Sequence, residues 1–314
     1  MGHPPGKVVS RRLTIMLASC QSAPGVPVAR VQLVTDSATC LGDEAAAELG
    51  IAVACGSFAF EDERHVDDER AWRAAYKHIR AGARLPRTFA PPEAAYLEVF
   101  RPAAAAGASI LCLVTPFDVS PSFTTASAAM LTVQDDLPSA RIKISNPGVG
   151  HAGLGALLVT LAGQAGAGAD LDALLGLAEA LEPLADALVV PESTRWLAES
   201  GRLALVEERL GDLDEDIPVL RVGTRVTGIA RGGCHEEALA EAVRRVGQRS
   251  GGVPLHAVVA HAAAPGIAEE AADRLRREHR VERLIVTELS IAIGAVVGPG
   301  AVAIGVAPAG AEEE

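Results

Sequence analysis

Residues 109–130 read SILCLVTPFDVSPSFTTASAAM. The first seven form a short, near-continuous apolar run, the pattern of a strand covered on both faces in a parallel sheet. A polar turn follows, and Ser120 then precedes Pro121. A serine at the N-cap with proline at the first helical position opens a helix, here running through Thr124, Ala126 and Met130. Ser120 and Ser122 therefore sit where free N–H groups accumulate. In an open α/β sheet, ligands bind outside the carboxyl ends of the strands, and a helix start with adjacent hydroxyls suits a carboxylate or phosphate.

Working outward, VQLVTDSA from Val31 reads as a strand with Asp36 and Ser37 at its carboxyl end. Residues 43–49 fit a short helix and 51–60 a second strand, a β-α-β opening. No GxGxxG accompanies it, so a dinucleotide site is not supported. The acidic residues at 61–63 and 67–69 read as a solvated connection into a helix over 71–79 rather than as a metal site. Prolines bound the loop 85–92 and fix the direction of Thr88. A helix over 93–106, a strand over 140–145 and a glycine-spaced helix over 150–162 complete a doubly wound parallel sheet.

GQAGAG at 163–168 is the clearest flexible break, which places a domain boundary there. The expected organisation is a poorly ordered leader (1–30), an N-terminal α/β domain (31–163), a C-terminal α/β domain (164–308) and an acidic tail (309–314). In the second half, the runs 219–222 and 225–229 are too close to hold a helix between them and should pair antiparallel. Later alternation over 236–289 predicts a mixed sheet. Residues 291–306 read as strand-like sequence interrupted by a tight turn at Gly298-Pro299-Gly300.

The 314 residues carry a net charge of −12, which argues against nonspecific binding to nucleic acid or an anionic membrane. Aromatic residues make up only 3%, so any cavity should be aliphatic. Five scattered cysteines without a CxxC point to a reducing cytoplasm rather than a disulfide framework. Arg11-Arg12 before LTIMLASC has the outline of an export signal, but the apolar core is too short. No run reaches the length of a transmembrane helix.

Familiar catalytic signatures are missing. There is no GxSxG and no P-loop, and no histidine–cysteine spacing suits zinc, although His151, His256 and His261 are each available as a base. What remains is a hydroxyl-and-arginine set: Asp36-Ser37, Thr88, Ser120/Ser122 and Arg202.

Several short motifs appear together in order and approximate spacing: TDSA at 35–38, Val66-Asp67-Asp68, Pro86-Arg87-Thr88, Ser120-Pro121-Ser122-Phe123, Ser200-Gly201-Arg202-Leu203, Pro218-Val219-Leu220 and Gly298-Pro299-Gly300-Ala301. In this the chain resembles the DegV family over about 31–306. The resemblance implies two α/β domains clasping a long-chain fatty acid in an apolar tunnel, with no cofactor and no catalytic residue of the chain's own. It also implies a separate fatty acid kinase as partner, to which the acyl carboxylate is presented. The carboxylate is expected at Thr88 and Ser120, with Ser122, Arg202, Asp36, Ser37, Phe89 and Val296 completing the ligand-facing set. Three of the chain's departures from the family pattern change the chemistry of this set. Phe89 replaces a serine, Pro121 replaces a glycine, and Val296 stands where the family has a histidine. Loss of that histidine bears on acyl-phosphate formation more than on retention of an apolar chain. The alternative is a binding protein, sensor or enzyme for another small polar metabolite in the same cleft.

Overall fold

The computed structural model describes residues 31–310. The expected leader, and residues 311–314 of the expected tail, lie outside the described residues. Strand β1 (Val31–Asp36) leads through a 3-10 turn (Ser37–Thr39) to α1 (Asp43–Glu48) and β2 (Ile51–Ala54). The chain continues with β3 (Ser57–Phe60), β4 (Glu63–Val66), α2 (Glu69–Arg80), β5 (Arg87–Phe89) and α3 (Glu93–Ala105). Then come β6 (Ser109–Leu113), α4 (Ser122–Asp136) and β7 (Ile142–Ser145).

Four of these strands form a parallel sheet in the order β2-β1-β6-β7, with Leu33 opposite both Ile51 and Leu111. All five residues of β6 are buried. Ile110 and Cys112 pack with Tyr96 and Phe100 of α3 and Ala126 and Val133 of α4, whereas Leu111 and Leu113 join the core on the other face. A near-continuous apolar strand is thus the consequence of cover on both sides.

The stretch 51–60, expected to be one strand, divides at Cys55-Gly56. β2 stays in the parallel sheet, while β3 leaves it to centre a three-stranded antiparallel sheet, β4-β3-β5. Gly56 permits this exit, because a Cβ there would lie 2.6 Å from the carbonyl oxygen of Phe89. The proline-bounded loop accordingly contains strand β5, in which Thr88 is opposite Phe58. The helix after β6 begins at Ser122, one turn position later than expected, with Pro121 at the N-cap position.

The second half comprises α5 (His151–Gly166), α6 (Leu171–Leu181), β8 (Asp186–Val190), α7 (Thr194–Glu199) and α8 (Leu203–Leu210). These are followed by β9 (Ile217–Val222), β10 (Val226–Gly232), α9 (His235–Arg245), β11 (Leu255–His261) and α10 (Pro265–Glu278). β12 (Val281–Glu288), α11 (Ile291–Val297) and β13 (Val302–Pro308) close it. Six strands pair in the order β10-β9-β8-β13-β11-β12, parallel between β11 and β12 and antiparallel elsewhere. The mixed sheet and the β9–β10 hairpin agree with the sequence pattern.

Two expectations are corrected here. The glycine-rich segment at 163–168 is not a break at its start, since α5 runs unbroken to Gly166. That helix, ten of whose consecutive residues (152–161) are buried, packs on β13, β11 and β8 of the larger sheet. Its glycines make the position possible. A Cβ on Gly153 would lie 2.7 Å from the Asp186 carbonyl oxygen, and one on Gly155 would lie 2.7 Å from that of Thr39. The helix therefore touches the turn after β1 on one side and β8 on the other. The second correction concerns residues 291–306, where the first part is helix α11 rather than strand. The Ser290 side chain caps it by accepting the Ala292 N–H at 3.1 Å, a local signal that outweighs the β-branched composition.

Candidate functional site

A cavity of about 940 Å³ lies beyond the carboxyl ends of β1 and β6, bounded on its other side by α8, the β9–β10 hairpin and α11. This is near the upper end of the range for small-molecule pockets. All eight residues expected from the sequence line it: Asp36, Ser37, Thr88, Phe89, Ser120, Ser122, Arg202 and Val296.

They do not contribute alike. Asp36 is buried and accepts hydrogen bonds from the Thr115 backbone N–H (2.9 Å), the Thr115 hydroxyl (2.8 Å) and the Ala38 N–H (3.1 Å). Burial raises its proton affinity, and these donors partly offset the rise. Ser37 donates to Asp67 at 2.7 Å and accepts the Gly56 N–H at 3.1 Å. The polar atoms of this pair are thus engaged within the protein, and their part is to shape the floor. Asp67, expected in a solvated acidic loop, is instead buried against the same floor, while Asp68 caps α2 by accepting the Ala71 N–H at 2.9 Å.

Ser120 and Ser122 have their hydroxyl oxygens 2.9 Å apart, and the Ser120 oxygen also accepts the Ser122 N–H at 3.2 Å. Ser120 is half-buried and Ser122 buried, so the first offers the more accessible hydroxyl. A Ser120→Ala variant is expected to lose about 1 kcal/mol through the lost hydrogen bond to the Ser122 N–H, read as a fall of a few degrees in Tm without ligand. Thr88 and Arg202 are exposed at the rim. Phe89 stands beside Thr88 with the Arg64 guanidinium 4.1 Å above its ring, a cation–π contact that holds the aromatic side chain at the mouth.

The opposite wall carries an aliphatic patch. Leu220, Val222 and Val226 from the hairpin meet Ile293, Val296 and Val297 from α11. Val296 itself is half-buried, and its carbonyl accepts the Ser200 hydroxyl at 3.1 Å, which ties α11 to the segment leading into Arg202.

Arg209, Arg225 and His151 are among the lining groups that escaped the sequence reading as members of this set. Arg209 and Arg225 join Arg202 on the lining, one on α8 and the other in the hairpin turn. A basic residue at helical spacing or in a turn carries no signal of which way it points until the topology is known. His151, considered only as one of several available bases, starts α5 with a left-handed φ of 54°. Its Nδ1 lies 3.2 Å from the Ala38 carbonyl oxygen. Burial pushes its pKa down to about 4, despite the smaller opposing effect of that carbonyl. Among the described residues there is no group of three or more histidine, cysteine, aspartate or glutamate side chains able to hold a metal, and no helix long and apolar enough to cross a membrane.

Comparison with known proteins agrees with this architecture. The family profile described as "Uncharacterised protein, DegV family" matches residues 30–309. A DegV domain-containing protein of Streptomyces coelicolor is 27% identical over 278 residues, covering 86% of this chain and 95% of the relative. A solved DegV family protein from Thermus thermophilus, described for its fatty acid binding, superimposes with a TM-score of 0.76 at 23% identity, over 89% of this chain and 99% of that one. DegV of Bacillus subtilis, described as a fatty acid binding protein, gives a TM-score of 0.74 at 19% identity, with 89% and 99% covered. With its family profile matched from the first residue of β1 to the end of β13, and with a fold that superimposes on those of solved members, the chain belongs to the DegV family.

Proposed function

We propose that this protein binds a long-chain fatty acid, with the acyl chain along the aliphatic wall and the carboxylate at Thr88 and Ser120, backed by Ser122 and Arg202. The observation that carries the reading is the cavity itself: one space of about 940 Å³ joins a cluster of hydroxyls to an aliphatic patch from the hairpin and α11. Charge-assisted hydrogen bonds to a carboxylate contribute about 1.5–3 kcal/mol each where water is excluded. Each buried CH₂ adds on the order of 0.8 kcal/mol before ordering costs, so the tail dominates affinity and the head sets orientation. The fatty acid binding for which the related structures are described supports the same ligand class.

The protein acts as a carrier rather than an enzyme on this reading, in the cytoplasm, and its partner is a separate fatty acid kinase. The aliphatic Val296 favours retention of the acid, leaving any proton handling during acyl transfer to that partner. Organic extraction of the purified protein followed by mass spectrometry is expected to release a fatty acid. Oleate added to delipidated protein at about a hundredfold excess over Kd is expected to stabilise it by about 2.7 kcal/mol, seen as a rise of several degrees in Tm. No extractable lipid together with no rise in Tm sinks the proposal. A shift with small polar metabolites instead moves the site to another ligand class.

A further inference from the structure

The floor of the cavity holds a group whose chemistry is fixed by one contact. The Ala38 carbonyl can only accept, so at 3.2 Å from it the Nδ1 of His151 carries the proton. Nε2 is then an acceptor open to the cavity that the ring lines, and it makes no hydrogen bond to the described residues. Short links place this atom at the polar end. Ala38 donates to Asp36 at 3.1 Å, and Asp36, His151 and the Ser120–Ser122 pair, whose hydroxyls lie 2.9 Å apart, line the same cavity. A bare carboxylate arriving there would set its lone pairs against that of Nε2.

Resting on the fatty-acid reading above, we infer that the cavity takes up its acid together with one proton, shared between the ligand headgroup and Nε2 of His151. The proton comes from solvent, and no covalent bond changes. Sharing it converts a lone-pair repulsion into a charge-assisted hydrogen bond. The titratable and charged groups on the elements packed about α5 are Asp36 on β1, Cys40 beyond the turn, Asp186 on β8, His256 and His261 on β11, and Asp172 and Glu179 on α6, with Asp118 in the loop before α4 and Arg225 in the hairpin on the cavity lining. Asp67, Arg202, Glu208 and Arg209 complete the charged lining. None of these sets the protonation of the free ring, which burial keeps neutral at pH 7.

The sign follows from linkage. Free His151 is neutral and the free acid ionised near pH 7, whereas the complex holds one proton more. Binding therefore strengthens as pH falls towards the ordinary carboxyl range and weakens by about tenfold per unit above neutrality. Calorimetric titration of the delipidated full chain with oleate, at pH 7.5 in two buffers of different ionisation enthalpy, is expected to show close to one proton taken up per ligand. Kd is expected to rise about tenfold between pH 7 and pH 8. In His151→Asn, whose side chain tolerates the left-handed backbone, oleate is expected to bind with no uptake and a flat profile. Oleyl alcohol, which brings its own proton, should bind the wild type without pH dependence. Oleate binding without proton uptake overturns this inference and leaves the fatty-acid reading standing. The same uptake in His151→Asn overturns it too, and no binding of oleate at all overturns both.

Discussion

Asp67→Ala is expected to lower the stability of the ligand-free protein by about 4 kcal/mol or more, because four donors lose one acceptor group. Asp67 is 2% exposed. It accepts the Ser37 hydroxyl, the Ser290 hydroxyl and the Trp72 indole N–H, each at 2.7 Å, and the Ile291 N–H at 3.1 Å. These donors come from the turn after β1, from α2 and from the start of α11, so the carboxylate joins segments more than two hundred residues apart. A buried donor left without a partner costs about 1–3 kcal/mol, and a domain's whole stability is only about 5–15 kcal/mol. Burial raises the proton affinity of Asp67, with the four donors partly compensating. Asp67→Asn relieves that desolvation but retains a single acceptor oxygen, so it is expected to fall between alanine and wild type. Urea unfolding of the three proteins checks the order. An alanine variant within about 1 kcal/mol of wild type would sink the clamp argument, since surface-like substitutions stay inside that margin.

The consequence for the site is that its floor and one wall share a fastening. Ser37 and Asp67 line the cavity and α11 supplies its aliphatic wall, while α2 reaches the same junction through the Tyr76 hydroxyl, which donates to the Leu289 carbonyl at 2.7 Å. Arg73 of α2 pairs with Glu288 at 3.0 Å, but the arginine is largely exposed and this ion pair adds little beside the buried network. Polar groups buried here hold the geometry that a ligand would meet, even where they offer no free hydrogen bond of their own.

The sequence revealed those parts of the molecule in which local pattern and tertiary cover coincide. The apolar β6 and the hydroxyl-rich start of α4 are legible because burial on both faces and the demands of a helix start each restrict residue choice locally. The hairpin is legible for the same reason, with only three residues between β9 and β10. The division of 51–60 is not, because the composition of β3 is as strand-like as that of β2 and only the approach of Phe89 to Gly56 separates them. Residues 291–297 are rich in β-branched side chains, yet a serine cap and the buried junction make them helical. Within the site, hydroxyls and one arginine could be picked out by their motifs. His151 could not be singled out, since its role depends on a carbonyl 113 positions away in the chain.

Gly305→Ala is the substitution expected to damage the second half most, and the reason is space rather than backbone freedom. Gly305 lies in the middle of β13, a wholly buried strand hydrogen-bonded to β8 on one side and β11 on the other. A Cβ there would overlap the carbonyl carbon and oxygen of Ala152 and the nitrogen of Gly153, all backbone atoms of α5. A flexible side chain could turn aside, but a helix backbone moves only as a unit, and α5 is itself held on its other side by the turn after β1. Overpacking of a core typically costs about 1–3 kcal/mol when side chains absorb it. With rigid backbone on both sides the loss is expected to exceed about 3 kcal/mol and to appear as a large fall in Tm or as insoluble protein. Gly163→Ala, in the same helix but with nothing within 4 Å of its Cβ, supplies the contrast. It is expected to stabilise by about 0.5–1 kcal/mol through helix propensity. Because α5 begins at His151, any Gly305→Ala protein that still folds should also show a displaced imidazole, read as a change in the His151 chemical shifts. A Gly305→Ala variant that melts with wild type, beside a Gly163→Ala variant that behaves as expected, would mean that α5 and β13 are not in the contact that sets the position of the cavity floor.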